Sequence, residues 1–292
     1  MRQPRQVVVL GATGQQGGAV ARALRDRGIP VRALVRTPEA PAAERLRSWG
    51  VEVWAGSWED PASLDRVLAG ADALFGITTP FEGIAAEVRH GIAWVEAARR
   101  AGISHVVYAS AAHTDESTGI PSFESKRKVE QHLRDSGVPF TLVGPVYFME
   151  NLLTPFALTR LREGQYVRWM PPEKTVQLIT VEDIGRFCAS VFAHREDFLG
   201  RRVDIAGDAL NAPLLAAILS RLLGRTVQPV SLPLESFPVE GELGRNVAAT
   251  LAWMARTGFH VDIPALRRQY PEVGWRTFAQ WAEAQDWGEL SR

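Results

Sequence analysis

The sequence predicts an α/β protein with a Rossmann-like doubly wound parallel sheet and a smaller, mostly helical C-terminal lobe. Three observations carry this. An apolar run, Val7–Leu10, ends in glycines at 11, 14 and 17 and passes straight into a helical pattern. Short apolar stretches then alternate with amphipathic ones up to about residue 145, the pattern of strands covered on both faces by helices. Beyond residue 150 the alternation stops. The 292 residues therefore divide into a dinucleotide-binding part at 1–150 and a smaller lobe at 151–292, some of whose elements return to the first part.

The predicted strands are Gln6–Leu10, Val31–Val35, Val51–Trp54, Ala73–Ile77, His105–Ala109 and Phe140–Val143. Between them, Asp60-Pro61 reads as an N-cap followed by proline at the first helical position, with Leu64, Val67 and Leu68 as the buried stripe. Ile84, Val88, Ile92 and Val95 recur at helical spacing. Gly28, Gly102 and Gly137 each precede the next strand, where a left-handed residue ends a helix. Short βα units of this kind imply right-handed crossovers. In the C-terminal part, helices are expected at Leu152–Glu163, Thr180–Ala193, Leu214–Leu223, Leu243–Thr257 and Trp275–Trp287, with a late strand at Arg202–Ile205. This lobe is expected to form the substrate or partner cleft over the carboxyl edge of the sheet. No internal repeat or low-complexity tract interrupts it.

Composition narrows the function. Apolar residues make up 46% and charged residues 23%, an ordinary globular balance. Lys plus Arg equals Asp plus Glu at 33 each, which argues against direct nucleic-acid binding. The arginines at 22, 25, 27, 99 and 100 read as solvated helix faces, and Arg32 as a solvent-facing strand residue. The single cysteine, Cys188, excludes an intrachain disulfide, fits a reducing cytoplasmic compartment and reads as a buried structural thiol. Six scattered histidines show no paired spacing, so no metal site is expected. Met1–Pro4 shows no apolar signal segment and no run reaches membrane-spanning length.

The glycine loop is the first candidate site. A buried strand turning into a helix N-terminus presents free N–H groups and the positive end of the helix dipole to an anion. Gly11 allows the tight turn, Gly14 the approach of a pyrophosphate and Gly17 close packing of helix on strand; Thr13, Gln15 and Gln16 fill the same loop. About twenty residues on, an NAD site places an acid at the end of the second strand. Here Arg36 stands there, and a guanidinium matches a 2′-phosphate, so NADP(H) is the expected cofactor. Thr78 and Thr79 follow the fourth strand and Ser110 the fifth, at carboxyl ends where hydroxyls meet ribose and nicotinamide or else cap a loop. Pro145, Tyr147, Phe148 and Asn151 follow the sixth, where the aromatics offer an apolar wall or simply fill core; Glu150 reads as a site acid or as a solvent-facing or hydrogen-bonded loop residue.

Together these stretches resemble the NmrA-like family, atypical members of the short-chain dehydrogenase/reductase superfamily. The resemblance rests on Gly-Ala-Thr-Gly-Gln-Gln-Gly-Gly at 11–18, Val-Arg-Ala-Leu-Val-Arg at 31–36 and His-Val-Val-Tyr-Ala-Ser at 105–110. It continues in Phe-Glu-Ser-Lys at 123–126, Gly-Pro-Val-Tyr-Phe-Met-Glu-Asn at 144–151 and Thr-Val-Glu-Asp-Ile-Gly at 180–185. It implies a Rossmann-like NADP-binding protein, either an NADPH-dependent quinone oxidoreductase or a redox-sensing regulator. Where many relatives have Gly-Asp, this chain has Gly56-Ser57-Trp58; Ser57 still hydrogen-bonds, and Trp58 stacks on adenine or packs on the surface. The Tyr–Lys acid–base pair of short-chain dehydrogenases is missing: four residues before Lys126 stands Ser122, and Tyr108 has no lysine at that spacing. Lys126 matches the lysine proposed as catalytic in isoflavone-reductase-like relatives. It is read at the start of its helix as a ribose ligand, a proton donor or a solvated charge. Trp253, Trp275, Trp281 and Trp287 are expected to fill core or a subunit contact, or to line a substrate pocket, and Trp169 to act as a pocket lid. The expected function is NADPH-dependent reduction of a small planar acceptor such as a quinone. The alternative is a non-catalytic NADP(H) sensor that controls a protein partner, and either a monomer or a homodimer is compatible with the sequence.

Overall fold

The computed structural model describes residues 3–291. Met1, Arg2 and Arg292 lie outside the described residues, and with them the start of the Met1–Pro4 reading and the outermost ends of the two expected segments. The described chain forms two compact units, one of residues 3–145 and 184–204, the other of residues 146–183 and 205–291.

The first unit is built on β1 (Val7–Val9), α1 (Gln15–Asp26), β2 (Val31–Val35), α2 (Pro41–Ser48), β3 (Glu52–Ala55), α3 (Pro61–Leu68), β4 (Ala73–Ile77), α4 (Ile84–Arg100), β5 (His105–Ala109), α5 (Pro121–Asp135) and β6 (Phe140–Pro145). These six strands pair in parallel in the order β3-β2-β1-β4-β5-β6. The strand order reverses between β1 and β4, and the carboxyl ends of strands at such a point form the ligand crevice of doubly wound sheets. Register puts Val7 of β1 opposite Val31 of β2 and Ala73 of β4. The core on one face gathers Leu64, Leu68, Trp94, Val129 and Leu133 over Val8, Leu74, Val106 and Leu142. Trp94 packs against Gly76, where an added Cβ would come within 2.8 Å of the indole.

Local signals held where their chemistry is local. Asp60 caps α3 by accepting from the Ala62 and Ser63 amides at 3.1 Å each, and Gly28, Gly102 and Gly137 adopt φ of 73°, 66° and 75°. Strand ends moved: β1 is shorter than Gln6–Leu10, β3 begins at Glu52, and β6 continues to Pro145. Arg32 is a correction. It is mostly buried, because register sets it opposite Glu52. Its guanidinium lies 4.6 Å over Trp54 and bonds Glu52 Oε2 at 3.0 Å and the Val67 and Ala69 carbonyls.

Later in the chain come β7 (Tyr147–Phe148), α6 (Pro155–Arg162), β8 (Gln165–Arg168), β9 (Val176–Ile179), α7 (Val181–Ala193), α8 (Arg195–Phe198) and β10 (Arg202–Ile205). β10 adds to the large sheet beside β6. There follow β11 (Asp208–Leu210), α9 (Ala212–Leu223), β12 (Gln228–Ser231), α10 (Gly241–Arg256), α11 (Ile263–Gln269) and α12 (Phe278–Glu283). The second unit is largely helical but holds two small sheets, β11-β9-β7 and β12-β8, that sequence patterning misses. Strands of two to four residues are too short to show a period, and Pro229 within β12 reads as a breaker. The expected helix at 152–163 starts only at Pro155, capped by Thr154, because proline at the first turn fixes the entry. The helix expected at 275–287 is restricted to Phe278–Glu283, opened by a Thr277/Gln280 capping box. The chain turns after it, so Trp281 and Trp287 meet edge to face at 6.2 Å despite their spacing. Trp253, Trp275 and Trp281 are buried, the core role among their alternatives. Cys188 is also buried, and burial pushes its thiol up. Among the described residues no helix is long and apolar enough to cross a membrane.

Candidate functional site

The glycine loop opens the site in the first unit. Gly11 has φ +64°, and Gly14 donates its amide to the Gly11 carbonyl at 2.9 Å, closing the turn. A Cβ at Gly17 would sit 2.4 Å from that same carbonyl oxygen, so only glycine lets α1 start this close to β1. Gly14 is the N-cap of α1, no side chain caps the helix and no acid lies in its first turn. The first amides of α1 therefore remain available, beside exposed Thr13, Gly14 and Gln15. Gln16 is buried with its Nε2 unpartnered. These features fit a bound pyrophosphate.

Arg36 at the end of β2 is 72% exposed and pairs with Glu82 at 3.3 Å. Ser57 Oγ accepts from the Glu59 amide at 3.2 Å. Trp58 stacks on the His90 imidazole, centroids 5.8 Å apart and planes at 29°. His90 Nε2 lies 3.1 Å from Glu59 Oε1.

At the ends of β4 and β5 the structure shows two buried carboxylates that the sequence reading passed over. Glu87 on α4 is fully buried and accepts from Lys126 Nζ at 2.5 Å, from Thr78 Oγ1 at 3.0 Å and from Ser125 Oγ. Thr78 Oγ1 also lies 2.9 Å from the Tyr108 hydroxyl. Burial pushes the Tyr108 phenol well above its ordinary range, so it carries its proton at neutral pH. What brings Glu87 to Lys126 is a notch one turn on. Gly91 faces Val129 so closely that a Cβ would lie 2.3 Å from a valine methyl, which draws α4 onto α5. Lys126 is not a solvated helix-start charge: α5 begins at Pro121, and the lysine is 13% exposed, with further bonds to the Thr78 carbonyl and hydroxyl at 3.1 and 3.3 Å. Thr79 is the N-cap of the turn at 80–82 but makes no side-chain cap bond. Glu130, also fully buried, accepts from Ser110 Oγ and Thr114 Oγ1 at 2.5 Å each and from Arg202 at 2.8 and 3.0 Å. Arg202 in turn pairs with Asp204 at 3.0 Å. Ser110 is thus buried in an ion network. A signal for both acids exists in the sequence: Glu87 shares a helical phase with Gly91 and Trp94, and Glu130 stands beside Val129 and three residues before Leu133.

The residues grouped after the sixth strand separate. Pro145 is buried in the first unit, its carbonyl accepting from the Ala112 amide at 3.1 Å. Tyr147, Phe148 and Asn151 line a cavity of about 170 Å³ within the second unit. Trp169 lines it too, 5.3 Å from Phe156 and 5.0 Å, edge on, from Phe237. Tyr166 and Arg168 add to its polar lining from β8; burial pushes the Tyr166 phenol up to about 12, so it keeps its proton at neutral pH. Glu150 is buried rather than solvent-facing, accepting from the Val181 amide at 3.1 Å and Trp281 Nε1 at 3.2 Å, and burial raises its pKa.

A model of the NmrA-like family matches residues 3–263. The chain is similar to a (4-alkanoyl-5-oxo-2,5-dihydrofuran-3-yl)methyl phosphate reductase of Streptomyces griseus subsp. griseus, 34% identical over 285 residues, covering 97% of this chain and 88% of the relative. It is 30% identical over 231 residues to an NAD(P)H azoreductase of Xenophilus azovorans, covering 78% of each. Among solved structures, the NADPH-dependent quinone oxidoreductase QOR2 of Escherichia coli, complexed with NADPH, aligns with a TM-score of 0.81 at 25% identity, covering 94% of this chain and 98% of its own.

Proposed function

The chain belongs to the NmrA-like family, and on that premise we propose that it is an NADPH-dependent reductase of a small, planar, electron-poor acceptor such as a quinone. It is an oxidoreductase of the NAD(P)-binding Rossmann type. The observation that carries the cofactor reading is the uncapped N-terminus of α1 behind Gly11, Gly14 and Gly17. Bound NADPH supplies a hydride. The chain's own part is binding and placement: the α1 amides take the pyrophosphate, Arg36 the 2′-phosphate, and Ser57 and Trp58 the adenosine side. Lys126, held by Glu87 and bonded to the Thr78 carbonyl, would hold the cofactor ribose. The aromatic walls of the second unit's cavity suit a flat acceptor. The similarity to a dihydrofuranylmethyl phosphate reductase, an NAD(P)H azoreductase and an NADPH-dependent quinone oxidoreductase supports this class of reaction. The single cysteine supports a reducing, cytoplasmic compartment.

A second reading, an NADP(H)-binding regulator without turnover, is favoured by one observation: the lysine that would donate a proton is locked to Glu87. NADPH consumption with a panel of quinones, with Lys126→Met alongside, decides between them. Acceptor-dependent turnover establishes the reductase, and its loss in Lys126→Met with NADPH binding kept assigns that lysine to the reaction. Tight NADPH binding without turnover on the panel moves the conclusion to the regulator.

A further inference from the structure

Arg168 is the last residue of β8 and only 8% exposed, yet among the described residues no carboxylate pairs with it. Its Nη1 is buried without a hydrogen-bond partner, and its Nη2 finds only the Met170 thioether, a weak acceptor, at 2.6 Å. Buried guanidinium groups are ordinarily paired, because an unpaired buried charge is costly. Arg202 of the first unit shows the usual solution, with Glu130 and Asp204 both against it. Arg168 instead lines the aromatic cavity. The residues lining that cavity include two arginines and neither an aspartate nor a glutamate. The second arginine, Arg160, is already neutralised by Glu163 at 2.7 Å, which leaves the positive charge of Arg168 uncompensated. Around it stand Trp169, Phe156 and Phe237 as flat walls, with the Tyr147 and Tyr166 phenols near enough to feel its charge.

We propose that Arg168 makes this cavity selective for anions, so that its ligand is a flat conjugated molecule carrying a carboxylate, sulfonate or phosphate group. The aromatic walls take the ring, and the guanidinium fork takes the charged oxygens, with the bidentate geometry that a carboxylate or phosphate offers. This deepens the reductase reading by naming the acceptor's chemical class, and rests on it only in taking the cavity's ligand to be the acceptor.

The test compares two naphthoquinones of similar shape, 1,4-naphthoquinone-2-sulfonate and uncharged 2-methyl-1,4-naphthoquinone, binding to the full chain saturated with NADP. Wild type is expected to bind the sulfonate at least about tenfold tighter. Arg168→Met is expected to lose that preference while still binding the neutral quinone. Equal affinities in wild type, or a preference that survives Arg168→Met, overturn the proposal. Competition by inorganic phosphate on wild type needs no variant and stands if Arg168→Met does not fold. Phosphate displacing the sulfonate but not the neutral quinone supports the site, and phosphate displacing neither removes it. Turnover of both quinones with NADPH on the same samples keeps the two readings apart. An intact anion preference without turnover leaves the site and removes the reductase; turnover without preference does the reverse.

Discussion

The two units hold contrasting examples of buried charge. In the first, each fully buried carboxylate has a cation and several hydroxyl donors: Glu87 has Lys126, Thr78 and Ser125, and Glu130 has Arg202, Ser110 and Thr114. In the second, Arg168 is buried with one guanidinium nitrogen unpartnered beside a cavity. A satisfied network rigidifies the frame that carries it, and an unsatisfied group is where a ligand completes the structure. The first unit supplies a fixed seat for a fixed ligand. On the proposal above, the second holds the unmet demand that specificity needs.

The largest effect should come from breaking a satisfied pair. Glu87→Ala leaves Lys126 mostly buried without its partner and should cost about 3–5 kcal/mol in urea unfolding. Arg168→Met removes a charge that has no partner, so it should leave stability unchanged or raise it. If the two variants cost the same, the contrast between the units falls. Next is Gly17→Ala, where the new methyl collides with the Gly11 carbonyl. It should cost about 1–3 kcal/mol by overpacking and remove NADPH binding, measured by calorimetric titration.

His105 asks whether the first unit tolerates a lone buried cation. Its Nε2 lies 2.8 Å from Thr141 Oγ1 and its Nδ1 has no partner; burial, helped by the charge of Arg195, lowers its pKa from 6.5 to about 3. The folded state therefore keeps His105 neutral where the unfolded state protonates. Its contribution is complete above pH 6.5 and is lost as pH falls from 6.5 toward 3, by up to about 1.4 kcal/mol per pH unit. Unfolding at pH 7 and at pH 5 should show this slope, and His105→Asn should flatten it. The smallest effect is confined to selectivity: Arg36→Ala should lower the preference for NADPH over NADH by about tenfold with little change in stability. Equal losses for both cofactors would remove Arg36 from the 2′-phosphate.

The site was legible where one residue settles its own geometry. Gly11 and Gly17 announce the loop, Gly11 because it takes a left-handed φ and Gly17 because a Cβ would collide with the Gly11 carbonyl, and Asp60 announces its helix because its oxygens reach amides two and three positions on. Lys126 was legible as a position and not as a partner: the motif marks the residue, but Glu87 lies 39 positions earlier on another helix. Arg32 was misjudged for the same reason, since strand alternation gives the direction of a side chain and not the Trp54 and Glu52 that meet it from β3.

By itself the sequence determined the doubly wound order, the glycine loop between β1 and α1 and the NADP(H) expectation drawn from Arg36. These depend on periodicity, glycine and charge within about thirty residues, the span of one βαβ unit. The tertiary structure alone decided which charges are paired, that Tyr147, Phe148 and Asn151 face a cavity while Pro145 packs in the other unit, and that Arg168 stands without a carboxylate. The physical reason is that pairing and burial are set by residues distant in the chain. A guanidinium reads the same in a sequence whether an acid meets it or not.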